Sequence, residues 1–152
     1  MPYAWLLISA LGLMPAAWAA ELEVRLEGWT DIGPVRAALV RADQPDWPAE
    51  PLRQTTNQGD RLSFTNLPAG RYAIQLYQDS NGNGQLDLSP RGIPLEPSGF
   101  SGNPPLLKGK PKVLDSAFAH GPGPTLLTIR LRPPRRARSE QNPRPPANPS
   151  SH

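Results

Sequence analysis

The chain has 152 residues, a formal net charge of +3 and no cysteine. The missing cysteine excludes a disulfide framework, a thiolate metal site and a lipidated N-terminal cysteine, so stability must come from core burial, for which the roughly 110 residues between the two ends suffice as one domain. The positive charge excludes less than it suggests: residues 133–152 hold four arginines against one glutamate, which is the whole excess, and residues 21–132 balance at 12 basic and 12 acidic groups, so no nucleic-acid partner is expected.

Residues 1–20 contain no Asp, Glu, Lys or Arg, and Trp5 to Leu13 is almost wholly apolar before Pro15. With Ala17-Trp18-Ala19 as a small-x-small site, this stretch reads as a secretory signal peptide cut after Ala19 or Ala20. Its apolar core is short for a bilayer span, so no stable membrane span is expected after cleavage. Met1-Pro2-Tyr3 supplies only the terminal amine as positive charge, which leaves an uncleaved anchor as the alternative. Either way the protein is expected in the periplasm or outside the cell.

Glu21 to Glu27 alternates charged and apolar residues and predicts a half-buried strand with Leu22, Val24 and Leu26 inward. Turn residues Gly28 to Pro34 lead to a second strand, Val35–Arg41. Three prolines make 42–60 a long connection. Arg61–Leu67 alternates again, and Pro68-Ala69-Gly70 turns directly into Arg71–Gln78, which predicts a hairpin with Tyr72, Ile74 and Leu76 on the core face. Prolines and glycines make 88–105 an ordered loop. A short strand or turn is expected near Lys112–Ala119, and Thr125–Arg132 closes the domain with Leu127, Ile129 and Leu131 on one face. The predicted core is Val24, Leu26, Val35, Leu39, Leu62, Phe64, Tyr72, Ile74, Leu76, Ile129 and Leu131. Pro133 to His152 has no large apolar residue and is expected to be a disordered tail. Strands with turns between them and no amphipathic helix predict an all-β fold: one antiparallel β-sandwich of immunoglobulin or prealbumin type over 21–132.

The stretch most suggestive of chemistry is Asp79-Ser80-Asn81-Gly82-Asn83-Gly84-Gln85-Leu86-Asp87. Oxygen ligands fall at positions 1, 3, 5 and 9 as Asp79, Asn81, Asn83 and Asp87, Gln85 offers its backbone carbonyl at position 7, and Gly84 sits where a calcium loop turns sharply. Position 12 is Pro90 instead of the bidentate glutamate, so the Ca2+ affinity expected is weak, on the order of 0.1–1 mM, unless Glu96 folds back. The alternative reading is a turn whose Asn and Asp side chains bond their own backbone.

Other chemistry is thinly supplied. His120 is the one histidine of the body, and no nucleophile elbow or zinc helix accompanies it, so it reads as a surface-turn residue. Trp29 and Trp47 could stack on sugars but read first as core or loop anchors.

Four pieces carry a resemblance: Leu67-Pro68-Ala69-Gly70-x-Tyr72-Ala73, the Asp79–Asp87 loop, Gly92-Ile93-Pro94-x-Glu96-x-x-Gly99-Phe100-Ser101-x-Asn103, and the Thr-x-x-Thr-Ile-x-Leu strand at the end of the body. The chain resembles the exported bacterial proteins grouped as domain of unknown function 2141. The resemblance implies an exported β-sandwich similar to prealbumin-like and carboxypeptidase-regulatory-like modules, with no assigned catalytic activity. That family often has histidine just before the loop's first aspartate, whereas Gln78 stands here, so a role needing that histidine is not carried over. The function expected is a non-enzymatic binding or structural module of the cell envelope with an envelope protein or glycan as partner. The alternative is a carboxylate-dependent, glycosidase-like hydrolase centred on Asp79, Asp87 and Glu96.

Overall fold

The computed structural model describes residues 19–134. Of the expected signal peptide, 1–20, residues 1–18, and of the expected disordered tail, 133–152, residues 135–152, lie outside the described residues. Eight strands and one 3-10 turn follow in order: β1 (Ala19–Glu27), β2 (Val35–Arg41), β3 (Arg53–Asn57), β4 (Arg61–Pro68), β5 (Gly70–Gln78), β6 (Ser98–Phe100), the turn Leu114–Ser116, β7 (Ala117–His120) and β8 (Thr125–Arg130).

The fold is all-β, with two sheets packed face to face. One has the order β4-β1-β8; the other runs β3-β2-β5-β6, and β7 pairs with β5 beyond β6. Thus β6 lies against Gln75–Tyr77 and β7 against Gly70–Ala73, two successive stretches of β5. Period-two alternation decides which side chains meet between the sheets. Leu22, Val24 and Leu26 of β1, Phe64 of β4, Tyr72, Ile74 and Leu76 of β5 and Ile129 of β8 share one core with Val35, Leu39, Leu62 and Leu131, so every residue of the predicted core is in it. Trp29 packs against this core. A smaller cluster of Val40, Ala73 and Val113 lies apart from it, with Trp47 against it. Trp47 is anchored by donating Nε1–H to Pro111 O at 2.8 Å.

The structure corrects the sequence reading in four places. Segments 61–68 and 70–78 are not a hairpin: β4 pairs antiparallel with β1 and β5 with β2, in different sheets. Pro68 has no N–H to extend the β4 ladder, and the chain crosses there to the other sheet, the corner held by Tyr72 Oη donating to Pro68 O at 2.7 Å. The sandwich is not wholly antiparallel either, because β8 runs parallel to β1, from Leu22 opposite Thr125 to Glu27 opposite Arg130. The long connection 42–60 contains strand β3, and the loop 88–105 contains strand β6. Finally, β1 starts at Ala19, paired with Pro68, two residues before the predicted start.

The two sheets are also tied along one side. Beyond β8, Arg132 bridges β6, its N–H donating to Ser98 O at 2.9 Å while Ser98 N–H donates to Arg132 O at 3.1 Å. This tie fixes the segment leading from the acidic loop to the last strand.

Candidate functional site

The Asp79–Asp87 loop leaves the end of β5, the central strand of the larger sheet, so its first residue is held by the scaffold. Asp79 N–H donates to Pro34 O at 2.8 Å. Gly33 is in van der Waals conflict with any larger residue there, since a Cβ on it would lie 2.0 Å from Asp79 O. Gln78 is fully buried and donates through Nε2 to Thr30 O and to Gly33 O, the latter at 2.9 Å. Gln78 therefore pins the β1–β2 turn beneath the loop.

The Asp79 carboxylate is 1% exposed. Its Oδ2 accepts from Arg36 Nε at 3.0 Å and from the Gly84 N–H at 2.8 Å. Gly84 makes that approach with φ of 75°, a conformation open to glycine at little cost. Burial alone would raise the Asp79 pKa, but the Arg36 hydrogen bond, the Gly84 and Gly82 amides and the Arg36 charge together outweigh it and hold the group below the ordinary 3.8. With two loop amides directed at it, the carboxylate faces the inside of the loop, and its Oδ1, buried, has no partner among the described residues.

The remaining oxygen ligands of the predicted set are gathered in the same loop. Asn83 N–H donates to Asn81 Oδ1 at 3.1 Å and Gln85 N–H to Asn83 Oδ1 at 2.9 Å. Asn81 Nδ2 donates to Asp87 Oδ2, and Asn83 Nδ2 reaches both Asp87 oxygens at 2.9 and 3.0 Å. Asp87 is thus satisfied by amide hydrogens, and an ion taken up by the loop must displace some of them. Among the described residues no group of three or more His, Cys, Asp or Glu side chains is placed to hold a metal. The donor set is instead two carboxylates and two carboxamides, hard oxygens of the kind calcium accepts.

Glu96 does fold back, but onto the backbone. It is buried, and Oε1 accepts from Ser80 N–H at 3.0 Å while Oε2 accepts from Asp87 N–H at 3.2 Å. One carboxylate therefore staples both ends of the loop. Asp87 O in turn accepts from Leu95 N–H at 2.8 Å. His120 is not the expected surface-turn residue: it ends strand β7 and is buried, sharing hydrogen bonds with Thr125 Oγ1 at 2.8 Å and Leu67 O at 3.0 Å and so joining β7 to β4 and the start of β8.

Sequence reasoning named Asp79, Asn81, Asn83, Gln85 and Asp87 and raised Glu96 as a conditional ligand. It missed Arg36, whose signal was an arginine set between apolar residues inside the strand Val35–Arg41. It also missed what the Gly92–Asn103 segment does. Glu96 staples the loop, Ser101 Oγ accepts from Ile74 N–H at 2.8 Å and donates to Ser116 O, and Asn103 bonds the backbone of β8 through Thr128 O at 3.0 Å and Arg130 N–H at 2.8 Å. The segment is a strap running from the acidic loop across the larger sheet to the smaller one.

No curated protein and no solved structure matches the chain. The family model described as "Uncharacterized protein conserved in bacteria (DUF2141)" matches residues 30–127, which span the corner, the acidic loop and the strap. With well over half of its length matched, the chain belongs to this family of bacterial proteins.

Proposed function

We propose that the protein is an exported, non-enzymatic β-sandwich of prealbumin-like type, a binding or structural module of the cell envelope whose Asp79–Asp87 loop takes a calcium ion weakly. The observation that carries the ion is the orphan Oδ1 of buried Asp79 at loop position 1. A buried carboxylate oxygen without a partner is costly, and a hard cation relieves it. Oδ2 meanwhile accepts the N–H of loop position 6, which shapes the turn around the space the ion would enter. Arg36 opposes binding by charge, and the amide hydrogens on Asp87 must be given up, so the affinity falls in the weak range, on the order of 0.1–1 mM.

Support for a module without catalysis comes from how the titratable groups are committed. A glycosidase-like hydrolase needs one carboxyl protonated near neutrality, whereas Asp79 is held low by Arg36 and two amides. Glu96 bonds backbone on both oxygens, and both His120 nitrogens are engaged in joining strands.

Calorimetric titration of the purified protein with millimolar calcium tests the ion. We expect saturable heat and, at 5 mM calcium, a rise in melting temperature reflecting a stabilisation of roughly RT ln(1 + [L]/Kd), both lost in Asp79→Asn. No heat and no rise would leave the loop as a self-bonded turn. Turnover in a screen of glycosidase, esterase and peptidase substrates, abolished by Asp87→Asn, would overturn the non-enzymatic reading.

A further inference from the structure

Next to the strap, and away from the Asp79 carboxylate, lies a cleft of about 530 Å³ bounded by residues 91–94, 106–110 and 132–134 with β6 beneath. This is within the range of about 300–1,000 Å³ seen for small-molecule sites. Phe100, 5% exposed, belongs to its recessed floor. Ile93 and Leu107 stand on its sides, 37% and 78% exposed, where a bound apolar chain would cover them.

Its charge is one-sided. Arg91, Lys108, Lys110 and Arg132 all line it, and no described acidic residue does. None of the four is ion-paired with a described residue. Arg132 gives one N–H to Asn103 O at 3.2 Å. The Lys110 ammonium lies 5.3 Å from the centre of the Trp47 ring. Although Lys110 as a residue is exposed, burial around its ammonium lowers its pKa. Four cations thus line one apolar hollow to which no described acidic group brings a counter-charge, an arrangement complementary to an anion.

From this juxtaposition we infer that the cleft binds a single-chain amphiphile with an anionic carboxylate head, the alkyl chain on Phe100, Ile93 and Leu107 and the head among the four cations. Charge decides against the chain's own residues 135–152, which carry four arginines and one glutamate. Shape decides against a bilayer surface, because the apolar floor is recessed and not presented outward. The inference names a ligand class for the binding module proposed above, on which it rests, but does not depend on calcium.

Titrating the purified protein with submicellar dodecanoate, in EDTA, tests it through amide nitrogen–proton spectra. We expect saturable one-to-one shifts of the Gly92 and Gly109 amides and the Trp47 indole. Acetate, the head without the chain, should leave them in place, and dodecyl maltoside, the chain without the charge, should bind at least tenfold more weakly. The double variant Lys110→Gln, Arg132→Gln should bind dodecanoate about tenfold more weakly or worse, as expected when charge-assisted hydrogen bonds are lost, with the Gly82 amide unmoved as a check of fold. Equal shifts with acetate, equal affinity for the maltoside, an unaffected double variant, or association seen only as co-sedimentation with anionic phospholipid vesicles would each overturn the inference. Hydrolysis of the p-nitrophenyl ester of dodecanoate would instead sink the non-enzymatic reading and leave the binding result standing.

Discussion

At the scale of single residues, two carboxylates do different things to one loop. Glu96 accepts from the amides at both ends of it, and hydrogen bonds to a charged group contribute about 1.5–3 kcal/mol each, so Glu96→Ala should lower unfolding free energy by about 2–3 kcal/mol after some replacement by water. Glu96→Gln keeps one acceptor oxygen and should lose roughly half of that, both read from urea denaturation. Asp79 adds a pH dependence whose sign follows from its lowered pKa. The folded protein binds the proton less tightly than the unfolded chain, so the contribution is fully present above about pH 5 and is lost as pH falls through 3.8 toward the lower folded value. Thermal melts at pH 7, 5 and 3 should show Asp79→Asn less stable than the natural protein at pH 7 and less sensitive to the step from 5 to 3. Equal sensitivity would mean that other groups govern acid unfolding.

At the scale of elements, the corner between β4 and β5 rests on one hydroxyl, and the seat of the acidic loop at the other end of β5 rests on one tight approach. Tyr72→Phe removes the hydrogen bond to Pro68 O while leaving the ring in the core, and should cost about 1 kcal/mol in denaturant unfolding. Gly33→Ala pushes a methyl against Asp79 O and should cost about 1–3 kcal/mol, with the loop amides Gly82 and Gly84 shifting in spectra. Which segments become strands was legible wherever one face is apolar, as at Leu22, Val24 and Leu26, because burial on one side imposes period two. β3 was hidden because Arg53-Gln54-Thr55-Thr56-Asn57 has no apolar face to alternate, and β6 because three residues including Gly99 are too few to show a period. Pairing was less legible still: Pro68-Ala69-Gly70 supplies the same turn chemistry to a hairpin and to a crossing between sheets. Local spacing likewise displayed the loop's own ligands, whereas Arg36 reaches Asp79 from 43 residues away and Glu96 reaches Ser80 from 16, separations at which sequence carries no geometric signal.

At the scale of the whole molecule, the smaller sheet is completed only by joining its first strand to its last. Leu127, Ile129 and Leu131 fill the core from the C-terminal end. A chain ended at residue 124 loses them together with the hydrogen bonds along β1, so it should show no cooperative melt, whereas an intact sandwich should melt in one transition. Refolding followed by tryptophan fluorescence should take milliseconds to seconds, as for other folds dominated by non-local pairing. That parallel ladder also sets a clock. Glu27 and Arg130 are neighbours in the sheet yet 103 residues apart in the chain, so in a polypeptide threading through any tunnel or pore N-terminus first, β1 can pair with β4 early but must hold its other edge open until nearly everything else has followed. Emergence and closure are separate events, and in the interval between them a holding chaperone or a protease meets a half-apolar strand with one edge still unpaired.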